Sequence, residues 1–214
     1  MTPTPFVPWP AGETLVLASR SPRRAELLRT AGIPFEIIPA GDVEAEHAAG
    51  LADLHHRPGL YAEELARLKA ADVCAARPDR VVLGADTIVI LDGEILEKPR
   101  DEAEARAMLA RLADRRHTVI TAIALCGARG RWLGHESTEV DFLPLDAGTI
   151  ARYVDTGEPM DKAGAYGIQG YGALMVRGVI GCYFNVMGLP LALLGRALRE
   201  ILDAAAGGRP KEAP

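Results

Sequence analysis

Residues 80–91, RVVLGADTIVIL, decide how the chain is read. They form two short apolar strands broken at Gly84-Ala85-Asp86. Asp92-Gly93 then signals a two-residue hairpin before Glu94-Ile95-Leu96. Upstream, residues 14–19 read as a strand, followed by a helix from Pro22 to Thr30 that stops at Gly32, a natural left-handed cap. Phe35 to Pro39 form another strand, and residues 40–58 lack periodicity and read as a loop carrying Asp42, Glu44 and Glu46. Gly59 to Ala76 is helical with Leu65, Leu68 and Ala75 inward, and Lys69 lies only about 40° around from Leu65, so it leans toward the interior.

Downstream, Asp101 opens a helix that turns Met108, Leu109 and Leu112 inward. HTVITAIALCG (117–127) and ESTEVDFLPL (136–145) alternate as strands and pair as an antiparallel hairpin across the Gly-rich ARGRWLG. A short helix covers 147–154, and GEPMDKAGAYGIQGYGA (157–173) is an ordered glycine-rich loop. A hairpin turning near Gly178 to Gly181 precedes a last helix with Leu194, Ala197, Leu198 and Ile201 at helical spacing. The fold class is α/β, with a mixed, partly antiparallel sheet flanked by helices. The proline-rich residues 1–13 form an extended arm, 14–203 a single domain, and 204–214 a frayed tail.

About half of the 214 residues are apolar and the net charge is −5, which suits a globular chain with no stable nucleic-acid partner and makes any anion site local. Cys74, Cys126 and Cys182 are odd in number and far apart, as expected of buried thiols in a reducing cytoplasm. No apolar run reaches the roughly 20 residues of a membrane span, and the first residues do not form a signal peptide. A Walker sequence, an HExxH pair and a GxSxG elbow are all missing. GAYGIQG does not join a strand to a helix, and His47, His55 and His56 read as solvated loop residues rather than zinc ligands.

LASRSPRRAELL (17–28) poses an electrostatic problem. Ser21-Pro22 starts a helix, with a capping hydroxyl and proline at the first position, yet Arg20, Arg23 and Arg24 crowd an end that repels cations by a few tenths of a kcal/mol each. A bound polyanion reverses that penalty, and the serine hydroxyls serve as phosphate donors or caps. Arg23, Arg24, Glu44, Asp86 and Lys98 all fall at element ends, which converge at one edge in such folds. Asp86, between apolar strands, needs a cation or donors. It either caps a turn or pairs with a lysine, or it joins Glu44 in holding Mg²⁺ beside phosphates.

LASRSPRRAELL, LARLKA, VLGADTIV, GEILEKPRD, HTVITAIAL, GEPMDKAGAYGIQGYGA and VMGLP together resemble the Maf family of nucleoside triphosphate pyrophosphatases, in order from about Thr14 to Leu198. The resemblance implies a two-lobed, inosine-triphosphatase-like α/β fold around a cleft, usually dimeric and cytoplasmic, and cleavage between the α- and β-phosphates with a divalent metal, Mg²⁺ or Mn²⁺. It makes Asp86 the proton acceptor and Glu44 its partner in metal binding. Arg24, Lys69 and Lys98, with the Ser19 and Ser21 hydroxyls, serve the triphosphate. Arg23, Thr87 and Gln169 match the branch that prefers dTTP and UTP, whereas the 7-methyl-GTP branch usually replaces the threonine and glutamine. A nucleotide-binding regulator of septum formation is the alternative of a different class. Arg20 stands where the family varies, and residues 47–57 lengthen a loop with no assigned role.

Overall fold

The computed structural model describes residue 7, residues 9 and 10, and residues 12–205. Most of the expected arm and nearly all of the expected tail lie outside the described residues. Where it is described the arm packs tightly: Val7 and Trp9 are buried in the core, and Trp9 Nε1 donates to the Glu13 carbonyl at 2.9 Å.

In chain order the elements are β1 (Leu15–Leu17), α1 (Pro22–Thr30), β2 (Phe35–Ile37), α2 (Val43–Glu46), α3 (Ala48–Ala52), α4 (Pro58–Ala76), β3 (Val81–Leu91), β4 (Glu94–Leu96), α5 (Glu102–Leu112), β5 (Arg116–Gly127), β6 (Gly130–Phe142), α6 (Ala147–Val154), β7 (Val176–Ile180), α7 (Tyr183–Met187) and α8 (Leu191–Ala205). One mixed sheet runs β2-β1-β3-β5-β6-β7, with β4 added to β3. The strands β2, β1 and β3 are parallel, and β3, β5, β6 and β7 are antiparallel. Helix α4 packs on one face of the sheet, while α1, α5 and α8 contribute to the core on the other.

Strand β3 is continuous, not broken at Gly84-Ala85-Asp86. All three residues pair with β5, Gly84 with Ala124, Ala85 with Ile123 and Asp86 with Ala122. Gly84 marks a close approach: a Cβ there would lie 2.2 Å from the Ala66 carbonyl oxygen and 2.6 Å from the Ala70 nitrogen. Helix α4 therefore lies flat against the strand beside Asp86.

The other edge of β3 explains the cleft. β1 pairs only with Val82 and Leu83, and β4 only from Val89 onward, so residues 84–88 have no strand on that side. The gap falls where a parallel neighbour gives way to an antiparallel one, the kind of switch point at which open α/β sheets bind ligands. Alternation sends Val82 and Ile88 to the α4 face and Leu83, Ala85 and Val89 to the other. Asp86 and Thr87 consequently start on opposite faces yet both reach the open edge.

Several expectations need correction. Residues 40–58 contain α2 and α3, of four and five residues, too short to leave a helical period. The Asp42 carboxylate caps α2 by accepting from Ala45 N. Strand β6 begins at Gly130, leaving only Ala128-Arg129 as the turn, because GRWLG (130–134) pairs residue by residue with β5. The hairpin expected near Gly178 to Gly181 does not form. β7 joins the β6 edge, and Gly181, at φ +123°, redirects the chain into α7. The three cysteines are half-buried rather than fully buried. The Asp92-Gly93 turn has both φ values positive, as its hairpin requires, and Asp101 caps α5 by accepting from Glu104 N at 2.8 Å. No helix among the described residues is long and apolar enough to cross a membrane.

Candidate active site

The open edge of β3 forms the floor of a cavity of about 570 Å³. Every residue expected in the site lines it: Ser19, Ser21, Arg23, Arg24, Glu44, Lys69, Asp86, Thr87, Lys98 and Gln169. Exposed Arg20 lies on its rim, whereas His47, His55 and His56 are exposed elsewhere, as the sequence suggests.

Lys69 is the hinge of the acidic side. Its Nζ donates to Glu44 Oε1 at 2.5 Å and Asp86 Oδ1 at 2.7 Å, and its side chain is 19% exposed. Burial pushes its pKa down, but the two carboxylates outweigh that and hold it above the ordinary lysine value. Burial pushes the Asp86 carboxyl up; Lys69 and Arg24 oppose the rise without cancelling it, and Glu44 adds to it. Burial also pushes Glu44 up, but there Lys69, Lys98 and Arg24 prevail and keep it below the usual carboxylate range. Two nearby carboxylates thus have opposite leanings, the pattern that separates a base from an anchor. Asp86 Oδ2 has no protein partner among the described residues and is not sealed from solvent.

Arg24 is held as a fork. Its Nε donates to the Gly188 carbonyl at 2.9 Å, Nη1 to Ser19 Oγ at 3.0 Å and Nη2 to Thr87 Oγ1 at 3.1 Å. The other N–H groups of its guanidinium remain for a ligand. Thr87 is itself fixed, 3.0 Å from Thr121 Oγ1, which donates to the Asn185 carbonyl. Asn185 is completely buried and satisfied by Thr121 N, the Val119 carbonyl and Thr138 Oγ1.

At the start of α1, Ser21 makes no side-chain cap. Ser19 Oγ accepts from Ser21 N instead, at 3.2 Å, and Pro22 has no N–H, so the anion cradle narrows to the free amides of Arg23 and Arg24. Across the cleft, Arg23 Nη1 meets Asp161 Oδ2 at 3.3 Å and Lys162 Nζ meets Asp161 Oδ1 at 2.5 Å. Lys98 is exposed and has no ion pair among the described residues. Gln169 is half-buried, and its amide bonds no protein group among the described residues.

Sequence reasoning missed Asp161, Lys162 and Tyr166 in the cavity wall, and Asn185 and Gly188 behind Arg24. The motifs DKAGAY and VMGLP contain most of them, but their roles depend on contacts between segments far apart in the chain.

A family model described as Maf-like protein matches residues 14–201. The chain belongs to the Maf family. Among curated Maf relatives, a protein of Symbiobacterium thermophilum named dTTP/UTP pyrophosphatase is 51% identical over 180 residues, covering 84% of this chain and 89% of that one. Proteins of the same name from Koribacter versatilis and Moorella thermoacetica are 48% and 50% identical, covering 88% and 83% of this chain and 95% and 89% of theirs. The solved Ham1 protein of Staphylococcus aureus aligns with a TM-score of 0.43 at 15% identity, over 77% of this chain and 80% of that one.

Proposed function

We propose that this Maf protein hydrolyses dTTP and UTP, and modified pyrimidine nucleotides of the same shape, to the monophosphate and pyrophosphate as a house-cleaning enzyme. The observation that carries this reading is the Glu44–Lys69–Asp86 cluster facing Arg23, Arg24 and Lys98 across one cavity. The names of relatives at 48–51% identity point the same way.

The residues divide the work. The free N–H groups of Arg24, the amides of Arg23 and Arg24, and the Lys98 ammonium bind the triphosphate. Lys69 keeps Asp86 ionised and in place, while burial makes that carboxylate a stronger base than an exposed one. Oδ2 of Asp86 then takes a proton from the water that attacks the α-phosphorus. The bond from that phosphorus to the bridging oxygen breaks, and the surrounding cations stabilise charge on the departing pyrophosphate. Gln169 offers a donor and an acceptor to a uracil or thymine edge, and Arg23, steered by Asp161, closes the base end.

The donor set fits a hard divalent cation, Mg²⁺ or Mn²⁺. Two carboxylates already converge on one ammonium, and Mg²⁺ characteristically takes one or two carboxylates and completes its shell with phosphate and water. Glu44 and Asp86 would hold it. Bound there, such an ion supplies neutralisation of phosphoryl charge.

A homodimer in the cytoplasm completes the proposal. β7 is an edge strand, and Leu174, Ile180, Tyr183 and Phe184 around it are exposed. The test is turnover of dTTP, UTP, GTP, 7-methyl-GTP and ATP with and without Mg²⁺ or Mn²⁺, run in ¹⁸O-water. The reading requires metal-dependent preference for dTTP and UTP, with the label in the monophosphate. Label in pyrophosphate, preference for 7-methyl-GTP, or tight binding without turnover would each refute it.

A further inference from the structure

The GIQGYG stretch (167–172) carries more glycine than a base-reading glutamine requires, and the reason lies outside the cavity. Tyr153, buried near the end of α6, donates its hydroxyl to Glu158 Oε1 at 2.9 Å and accepts from Gly167 N at 3.1 Å. Glu158 in turn accepts from Tyr171 N on Oε2 at 3.1 Å and from Gly172 N on Oε1 at 3.2 Å. One phenol–carboxylate pair therefore grips the chain before Gln169 and after it.

We infer that Tyr153 and Glu158 are positioning residues that set nucleobase selection by clamping both shoulders of the Gln169 arch, an inference that rests on Gln169 facing the base. The arch is closed to the limit of contact. A Cβ on Gly172 would lie 2.0 Å from the Gly167 carbonyl oxygen, and one on Gly170, at φ +65°, would lie 2.6 Å from Glu158 Oε2. Glycine at 170 is what lets the Glu158 carboxylate come up to two successive amides, and glycine at 172 lets the two shoulders of the arch meet. Lys162 Nζ, donating to the Glu158 carbonyl at 2.5 Å, fixes the backbone of the clamp as well.

Neither Tyr153 nor Glu158 lines the cavity, so their side chains reach the nucleotide through the arch and not by contact. The Gln169 side chain has no protein partner of its own among the described residues, so its aim is inherited from the backbone held on each side. Hydrogen bonds to an ionised acceptor are the stronger kind, and a base-reading group must be held within about half an ångström to discriminate. The triphosphate contacts, at the start of α1 and at Lys98 after β4, lie on other segments than this clamp.

The test compares Tyr153→Phe, Glu158→Ala and Glu158→Gln with Gln169→Ala, using kcat/KM for dTTP and GTP after thermal unfolding has verified each fold. Tyr153→Phe and Glu158→Ala should lower the dTTP-to-GTP ratio about tenfold or more, mainly through KM for dTTP, while GTP turnover stays within about threefold. Glu158→Gln, which keeps one acceptor oxygen, should retain more of the ratio than Glu158→Ala. Glu158 is only half-buried, so its variants test the clamp even where Tyr153→Phe does not fold. Ratios unchanged in folded clamp variants, or dTTP and GTP falling by the same factor, would overturn the clamp. A wild-type ratio in Gln169→Ala would refute the base reading beneath it, whereas a collapsed ratio there beside intact clamp variants would refute the clamp alone.

Discussion

His117 makes the stability of this protein depend on pH in a way that one substitution should remove. The residue is 3% exposed, Nε2 lies 2.7 Å from Tyr166 Oη, and the Phe142 and Tyr166 rings meet its ring edge-on at 5.0 and 5.3 Å. Nδ1 is buried without a partner among the described residues. In the protonated ring both nitrogens carry N–H, and the one at Nδ1 has nothing to accept it. Burial accordingly pushes the pKa down to about 4, and the neighbouring Asp141 charge opposes this only weakly. The unfolded chain, with an ordinary value near 6.5, binds the proton more readily, so acid favours unfolding. The neutral ring's contribution is complete above about pH 6.5 and is lost as pH falls toward 4. Linkage gives a loss of about 2 kcal/mol by about pH 5 and about 3 kcal/mol by about pH 4. His117→Gln keeps a hydrogen bond to Tyr166 but cannot titrate. Urea unfolding at about pH 7.5 and about pH 5 should find the variant less stable at the higher pH by about 1–2 kcal/mol, from lost ring contacts, with the gap closing or reversing at the lower. The carboxylates other than Asp141 titrate alike in both proteins and cancel. A gap that stays constant between the two pH values would refute the reasoning.

Three more outcomes follow from the site. Gly84→Val pushes α4 off β3, because its Cβ would meet the Ala66 carbonyl; unfolding should show a cost of about 1–3 kcal/mol, with turnover falling further as Lys69 leaves Asp86. Lys69→Met should slow kcat by about 10²-fold or more, since it removes the cation between Glu44 and Asp86; steady-state kinetics on dTTP would show it. Arg24→Lys replaces a fork with a point charge and cannot keep Gly188, Ser19 and Thr87 together. It should raise KM about tenfold and lower stability by about 1–3 kcal/mol, read by kinetics and by urea unfolding.

The site was legible in the sequence wherever chemistry is local. Asp86 between apolar runs, Lys69 beside Leu65 and two arginines after Pro22 each broke a local rule, and all of them meet in one cavity. The regular elements were legible for the same reason: α8 buries Leu194, Ala197, Leu198 and Ile201 as their spacing requires. What escaped depends on distant partners. Gly84 looks like a break in a strand until Ala66 and Ala70 are brought against it, and only then does it become the reason Lys69 touches Asp86. Thr87 gives no sign that its hydroxyl belongs to a chain ending on Asn185, nor the stretch YFNVMG that it turns into α7 rather than a hairpin. Ser21 had every sign of a capping residue, but Ser19 takes its amide and leaves its hydroxyl uncommitted to the helix.

The most direct test of the account is pyrophosphate release from dTTP by Asp86→Asn. The amide keeps the shape of the side chain and its place on β3 but cannot accept the water proton at Oδ2. The account predicts a fall in kcat on the order of 10²–10⁴-fold with the fold and dTTP binding retained. A variant that releases pyrophosphate at the wild-type rate would contradict it.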